Sequence, residues 1–274
     1  MARSPGEGNE GNEGNEGNEG NEGAGARQIA GLAPTTFPMA KALDDLAGNT
    51  LKFPLLLGRD YPETSWAPQW IAQVVLAEFG GTEWRTVDVP APDLHKSAVT
   101  AEIRKLLGHI SLDRLRNGPE IVTQAQGASA YFGNILDVRP TYRPNTWAII
   151  VSAFNVGQMV AMHFKAKFNR ARPGQVYPAL APLLSTPGHP SYPSGHATQT
   201  WLTALCLEEV CADLEGPVKA LAMQIALNRE IAGLHYPSDS AAGRAIAEKV
   251  KPLLMETPTF AKLIELAQAE WEKR

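Results

Sequence analysis

The chain has 274 residues, with 25 Lys and Arg against 29 Asp and Glu, a formal net charge of −4. This length can bury one sizeable core, and the near balance of charge argues against a surface that holds nucleic acid or anionic membrane by bulk charge. Any anion the protein binds must be caught by a local cluster of cations.

The N-terminus lacks the cationic start, apolar run and cleavage site of a secretory signal. A cytoplasmic location is therefore expected, or a periplasmic or secreted one if a native leader has been removed. Five consecutive Gly-Asn-Glu triplets begin at Gly8. A tract with a Glu at every third position and no apolar residue cannot bury a core and repels itself. Residues 1–27 are predicted to be a disordered tail, and residues 28–274 a single domain.

Beyond the tail, apolar positions recur at helical spacing between Pro and Gly breaks. They predict helices near 38–47, 68–79, 93–116, 118–136, 145–171, 196–214, 217–233, 239–250 and 258–273, with long loops at 48–66, 80–92 and 173–193. Thr86 to Pro90 carries the one modest strand signal, and Pro90 limits it. The expected fold is all-α, a single helical bundle. The longest apolar run, Trp147 to Phe164, is interrupted by Asn155, Gly157 and Gln158 and runs into Lys165, Lys167 and Arg170. It reads as a buried helix rather than a membrane span, so a soluble protein with no span is expected. Cys206 and Cys211 lie too far apart along one predicted helix to bridge, and read as buried thiols.

Three segments carry chemistry-bearing residues. Lys165 and Arg172 lie about two helical turns apart, with Pro173 fraying the helix at the arginine; a guanidinium fork and an ammonium suit the oxygens of a phosphate. Pro193-Ser194-Gly195-His196 opens a helix. Ser194 suits the N-cap, Gly195 lets a ligand approach the backbone N–H groups, and His196 stands beside any anion bound there. Arg229 lies near the end of the next helix, which Gly233 stops. In the turn that follows, the Asp239 carboxylate can reach back to His235, fix its tautomer and leave the other ring nitrogen as a nucleophile. Each segment alone has an ordinary structural explanation; together they describe one oxyanion cradle.

Lys165 with Arg172-Pro173, then Pro193 to His196, then Arg229, His235 and Asp239, resemble the signature of the type 2 phosphatidic acid phosphatase superfamily, which joins bacterial class A acid phosphatases, membrane lipid phosphatases and vanadium haloperoxidases. Asn228 stands where that pattern has Ser. The resemblance spans residues 165 to 239 and implies a helical bundle of the acid phosphatase and haloperoxidase type. It implies that His235 attacks phosphorus, held by Asp239, and that His196 protonates the leaving alkoxide and then activates water. Lys165, Arg172, Ser194, Gly195 and Arg229 would hold the phosphoryl oxygens. His189 and Tyr192 are candidates for the substrate pocket. No metal and no cofactor are expected for a phosphatase; a haloperoxidase would bind vanadate in the same cradle. The close spacing of the segments and the short chain favour a phosphatase acting on small phosphomonoesters, with diphosphates as a second class. A vanadate-dependent haloperoxidase and a non-catalytic phosphate-binding or scaffold protein are the alternatives. The expected partner is a small phosphorylated molecule, not nucleic acid, and self-association is left open.

Overall fold

From Pro68 onward the periodic apolar sequence folds into helices, seen in a computed structural model that describes residues 58–62 and 65–272. Pro62–Arg274 forms one compact unit, and everything below concerns it. The predicted tail, the predicted helix at 38–47 and most of the predicted loop at 48–66 lie outside the described residues. The helices are α1 (Pro68–Gly80), α2 (Lys96–Gly108), α3 (Leu112–Leu136), α4 (Pro144–Phe168), the single turn α5 (Pro173–Val176), α6 (Gly195–Val210), α7 (Glu215–Ile231), α8 (Pro237–Met255) and α9 (Pro258–Glu272). Among the described residues there is no strand, only an isolated bridge between Arg139 and Tyr142. Thr86 closes a 3₁₀ turn that starts at Trp84, and the irregular chain from Val87 to Pro90 buries Val89.

Helix α6 is the axis of the bundle, with α4, α7 and α8 packed around it. Thr198, Leu202, Leu205, Cys206 and Val210 are buried on several of its faces, so the helix is buried nearly all round and not along a single apolar stripe. Its buried threonines are made tolerable by donating to carbonyls one turn back: Thr198 Oγ1 to Ser194 O at 2.9 Å, Thr200 to His196 O at 2.7 Å and Thr203 to Gln199 O at 2.9 Å. The predicted extension of this helix to 214 does not form. Cys211 turns extended and a 3₁₀ turn covers Ala212–Leu214.

Two other boundaries moved. The predicted helix at 93–116 breaks after Gly108, and a new helix starts at Leu112 and runs on through Pro119. The backbone of α3 leaves helical geometry at Gly127, with φ −169° and ψ 64°. Helix α4 ends at Phe168 because Asn169 turns left-handed at φ 46°, so Lys165 and Arg172 do not share a helical face as expected.

The start of α6 is gripped by glycine. A Cβ at Gly243 of α8 would lie 2.8 Å from Ser194 O, 3.0 Å from Ala197 Cβ and 3.0 Å from Thr198 N. Two of these three atoms are backbone and cannot rotate away. Gly243→Ala is expected to lower stability by about 1–3 kcal/mol and to displace the Ser194–His196 turn. Chemical denaturation measures the first effect, and an unchanged midpoint would contradict so close a contact.

Candidate active site

The three motif segments meet at the end of the bundle where α6 and α8 begin. Lys165, in the last turn of α4, is buried, and its Nζ donates to Pro190 O at 2.6 Å and Ser191 O at 3.0 Å. The helix break at Asn169 swings the following chain so that Arg172 enters from the loop and becomes the N-cap of α5. Its guanidinium is also buried, donating from Nε to His189 O at 3.0 Å and from one terminal nitrogen to Leu234 O at 3.0 Å. Two carbonyl-rich turns thus hold the two cations apart in place, without neutralising either.

Ser194 caps α6 as its residue type predicts, with Oγ accepting from Ala197 N, and its own N–H donates to Asp239 O at 3.0 Å. The second motif is thereby tied to the third. A Cβ at Gly195 would meet Lys165 Cε at 3.9 Å, so this position borders the lysine. His196, one residue into the helix, is half-buried.

The turn carrying His235 is built by Gly233, whose φ of +78° ends α7 in the left-handed region. Arg114 of α3 braces it, donating to Ile231 O at 2.9 Å, Ala181 O at 2.7 Å and Leu180 O at 3.1 Å. Pro237 then starts α8, where sequence placed the start at Ser238 or Asp239, and the Asp239 carboxylate does reach back. Its Oδ2 accepts from Tyr236 N at 3.0 Å and lies 3.1 Å from His235 Nδ1. With Nδ1 carrying the proton toward Asp239, the lone pair of His235 Nε2 points to an Arg172 guanidinium nitrogen 3.4 Å away.

The residues that sequence reasoning missed surround Asp239. Arg170 donates to its Oδ1 at 2.6 Å, to Ser238 Oγ at 2.8 Å and to Glu102 Oε2 at 2.8 Å, with the guanidinium 3.7 Å from the Tyr236 ring centroid. Ser191 Oγ donates to Asp239 Oδ2. Arg170 lay in plain sight two residues before Arg172, but its chain position alone gave it no more claim than Lys167.

His189 is drawn in, its Nδ1 3.0 Å from an Arg172 terminal nitrogen. Tyr192 is not. Its hydroxyl donates to Pro90 O at 2.7 Å and its ring packs edge-on to Phe168. It walls a separate, mostly apolar cavity of about 300 Å³ with Pro90, Ala241, Ala245 and Ile246. His163 packs edge-on against Trp84 and Phe164 in the core. Among the described residues no group of three or more His, Cys, Asp or Glu is placed to hold a metal ion.

Burial and the crowding of cations shift Lys165, Arg172 and the three histidines of the site. Burial, then Arg172, brings Lys165 down to about 7 against the pull of Asp239. Burial brings Arg172 to about 10, and burial with Lys165 and Arg172 brings His189 to about 4. His196 falls to about 3 through burial and then Arg229, and His235 falls well below its usual value through burial and then Lys165. Both histidines are neutral near pH 7 in the free protein, in a site built to attract negative charge.

Residues 146–257, which hold all three motif segments, match the PAP2 superfamily, in keeping with the resemblance of those segments to the type 2 phosphatidic acid phosphatase superfamily. It is 36% identical over 108 residues to decaprenylphosphoryl-5-phosphoribose phosphatase of Mycobacterium tuberculosis, covering 39% of this chain and 59% of that protein. It is 30% identical over 125 residues to a non-specific acid phosphatase of Providencia stuartii, covering 43% and 50%. The chain thus spans about half the length of the curated relatives it matches. A transmembrane PAP2 type phosphatidylglycerolphosphate phosphatase from Bacillus subtilis aligns with a TM-score of 0.43 at 16% identity, over 76% of this chain and 97% of that one.

The expectations of a soluble protein without a membrane span and of a cytoplasmic location are corrected. Pro144–Val176 is long and apolar enough to cross a membrane by length and composition, with 56% of its most apolar window buried. Asn155, Gly157 and Gln158 had been read as interruptions, but the run from Trp147 to Phe164 contains no Asp, Glu, Lys or Arg. Uncharged polar residues do not disqualify a span.

Proposed function

We propose that the protein is a phosphatase that hydrolyses phosphomonoesters through a phosphohistidine on His235. The observation that carries this reading is the orientation of that ring: Nδ1 is held at 3.1 Å by Asp239, while Nε2 faces the buried Arg172 fork. The Nε2 lone pair forms the N–P bond as the P–O bond to the leaving group breaks, and the departing oxygen takes a proton from His196. Water then attacks phosphorus, gives its proton to His196, and the N–P bond breaks with its electrons returning to Nε2. Lys165, Arg172 and Arg229, with Ser194 and the Gly195 N–H, hold the phosphoryl oxygens and offset the charge that spreads over them in the transition state. Both named curated relatives are phosphatases, which supports the same reaction class here.

The test is hydrolysis of a chromogenic phosphomonoester, with chelator present and then with orthovanadate, which adopts the five-coordinate geometry of the transferring group. Turnover that survives chelator and stops with vanadate is expected. Turnover abolished by chelator would contradict a mechanism built on side chains alone. If no ester is hydrolysed, bromide oxidation by peroxide with added vanadate would indicate the haloperoxidase chemistry, and phosphate binding without either reaction would indicate a binding protein.

The shifted histidines also set a pH dependence. Because kcat/KM reports the free enzyme, it should be greatest on the acid side and fall as the pH rises beyond the His196 value of about 3. A bound dianion offsets Arg229, Lys165 and Arg172, the charges that help hold His196 down, so the basic limb of kcat should lie at higher pH than that of kcat/KM. Above pH 7 a further decline is expected as Lys165, held at about 7, loses its charge. Profiles of both parameters check this, and a kcat/KM that climbs from pH 5 to pH 8 would contradict it.

A further inference from the structure

A guanidinium has five N–H groups, and three of those on Arg172 are already taken up by neutral acceptors. Nε and Nη2, the two nitrogens along one edge, donate to the main-chain O and the ring Nδ1 of a single residue, His189, both at 3.0 Å. Nη1 donates to Leu234 O at 3.0 Å. What remains is one N–H on each terminal nitrogen, and Nη1 lies 3.4 Å from His235 Nε2. The edge with which an arginine can grip an oxyanion side-on is therefore closed, and the fork meets His235 end-on.

The hold follows from the chain path. Ser191 N donates to Arg170 O at 2.8 Å, and Arg172 Nε donates to His189 O. Residues 189–191 thus run antiparallel to residues 170–172, which sets His189 opposite Arg172. His189 N donates to Pro187 O at 2.8 Å and tightens the loop just before it.

The protonation of the ring follows from its partners. A guanidinium only donates, so Nδ1 must offer a lone pair, and a neutral ring then carries its proton on Nε2. Burial, then Lys165 and Arg172, keep the ring neutral near pH 7. Pro190 O lies 3.3 Å from the same Nδ1, but that carbonyl already accepts from Lys165 Nζ at 2.6 Å. Nδ1 cannot accept from Arg172 and donate to Pro190 at once, so a proton on Nδ1 would release the arginine.

We propose that His189 is a positioning residue for Arg172: its carbonyl and Nδ1 hold one edge of the guanidinium so that the two remaining N–H groups meet the phosphoryl oxygens beside His235. The sequence suggested a place in the substrate pocket, whereas here the ring acts through the arginine. The inference rests on the phosphate-binding role given to Arg172 above.

Three substitutions separate the roles the ring could have. His189→Asn keeps an acceptor where Nδ1 stands, His189→Gln keeps a polar group where Nε2 stands, and His189→Leu keeps neither. With p-nitrophenyl phosphate, the Leu and Gln variants should lose about 10- to 100-fold in kcat/KM, up to the loss ascribed to a misplaced group at a reacting centre, while the Asn variant stays within about threefold of the parent. Affinity for inorganic phosphate, read by calorimetry, should follow the same order without any turnover, and thermal melting confirms that each variant is native. The ¹⁵N spectrum of the parent should show His189 with its proton on Nε2, a readout that needs no variant to fold. Recovery by Gln and not by Asn would mean a direct contact between Nε2 and substrate and would overturn the proposal. Equal losses in all three variants, no loss in the Leu variant, or a proton on Nδ1 would also overturn it. A parent that binds phosphate yet hydrolyses no ester would instead sink the phosphatase reading, with the phosphate affinities still deciding the clamp. A parent that does neither would remove the role of Arg172 on which the proposal stands.

Discussion

His235→Ala is expected to lower kcat by about 10⁴-fold or more, in line with removal of a catalytic nucleophile from a cooperating set. Nothing nearby replaces it. His189 is occupied with Arg172 through Nδ1, and the proposed scheme already assigns His196 to proton transfer. The fold should survive, because Asp239 keeps Arg170, the Ser191 hydroxyl and the Tyr236 N–H after the imidazole is gone. Steady-state rates with a thermal melt on the same sample check both halves. Acid quenching of the parent during turnover should also trap an acid-labile, base-stable phosphoryl label that the variant lacks. A variant keeping more than a tenth of the parent rate would remove His235 as the nucleophile.

The sequence made the cradle legible because its members come in short, rigid contexts. Ser194 before an apolar helix, Gly233 after one and Pro237 at a first turn each dictate local backbone, and the local backbone aims His196, His235 and Asp239. What stayed hidden depends on which distant elements pack together. Glu102 lies on α2, yet it supports the first turn of α8 by accepting from Ser238 N at 2.8 Å, and no spacing rule joins positions so far apart in the chain. The burial of α6 nearly all round was not legible either, because its threonines count as polar until their hydroxyls are seen to be satisfied by its own carbonyls. Tyr192 stood beside Pro193 and invited a pocket role, but its ring packs on Phe168 and its hydroxyl donates to Pro90 O. Arg170 and Arg172 were both visible, yet their difference in environment comes from tertiary contacts: the one is neutralised by carboxylates, the other is surrounded by carbonyls and histidines.

That difference gives Arg170→Met the largest expected effect on stability. Arg170 has 2% side-chain exposure and Asp239 none, and they meet at 2.6 Å. Burial alone would lower the Arg170 pKa, but Asp239 and Glu102 outweigh it and raise the value, so the pair is well matched. Removing the cation leaves a fully buried carboxylate with only the Ser191 hydroxyl, the Tyr236 N–H and His235 as partners, a change that costs about 3–5 kcal/mol for a buried pair. The same loss frees Asp239 Oδ1 to rotate, and His235 is aimed through that carboxylate, so kcat should fall about 10²-fold, the order expected from a small misplacement of a reacting group. Arg170→Lys discriminates charge from geometry. An ammonium can reach Asp239 but cannot bridge Ser238, Asp239 and Glu102 at once as the planar fork does, so Lys should recover part of the stability and little of the rate. Denaturation midpoints and kcat for the two variants measure this. If Lys restores both fully, charge alone suffices and the fork has no orienting role; if Met leaves stability unchanged, the ion pair is not the keystone of the turn that carries His235.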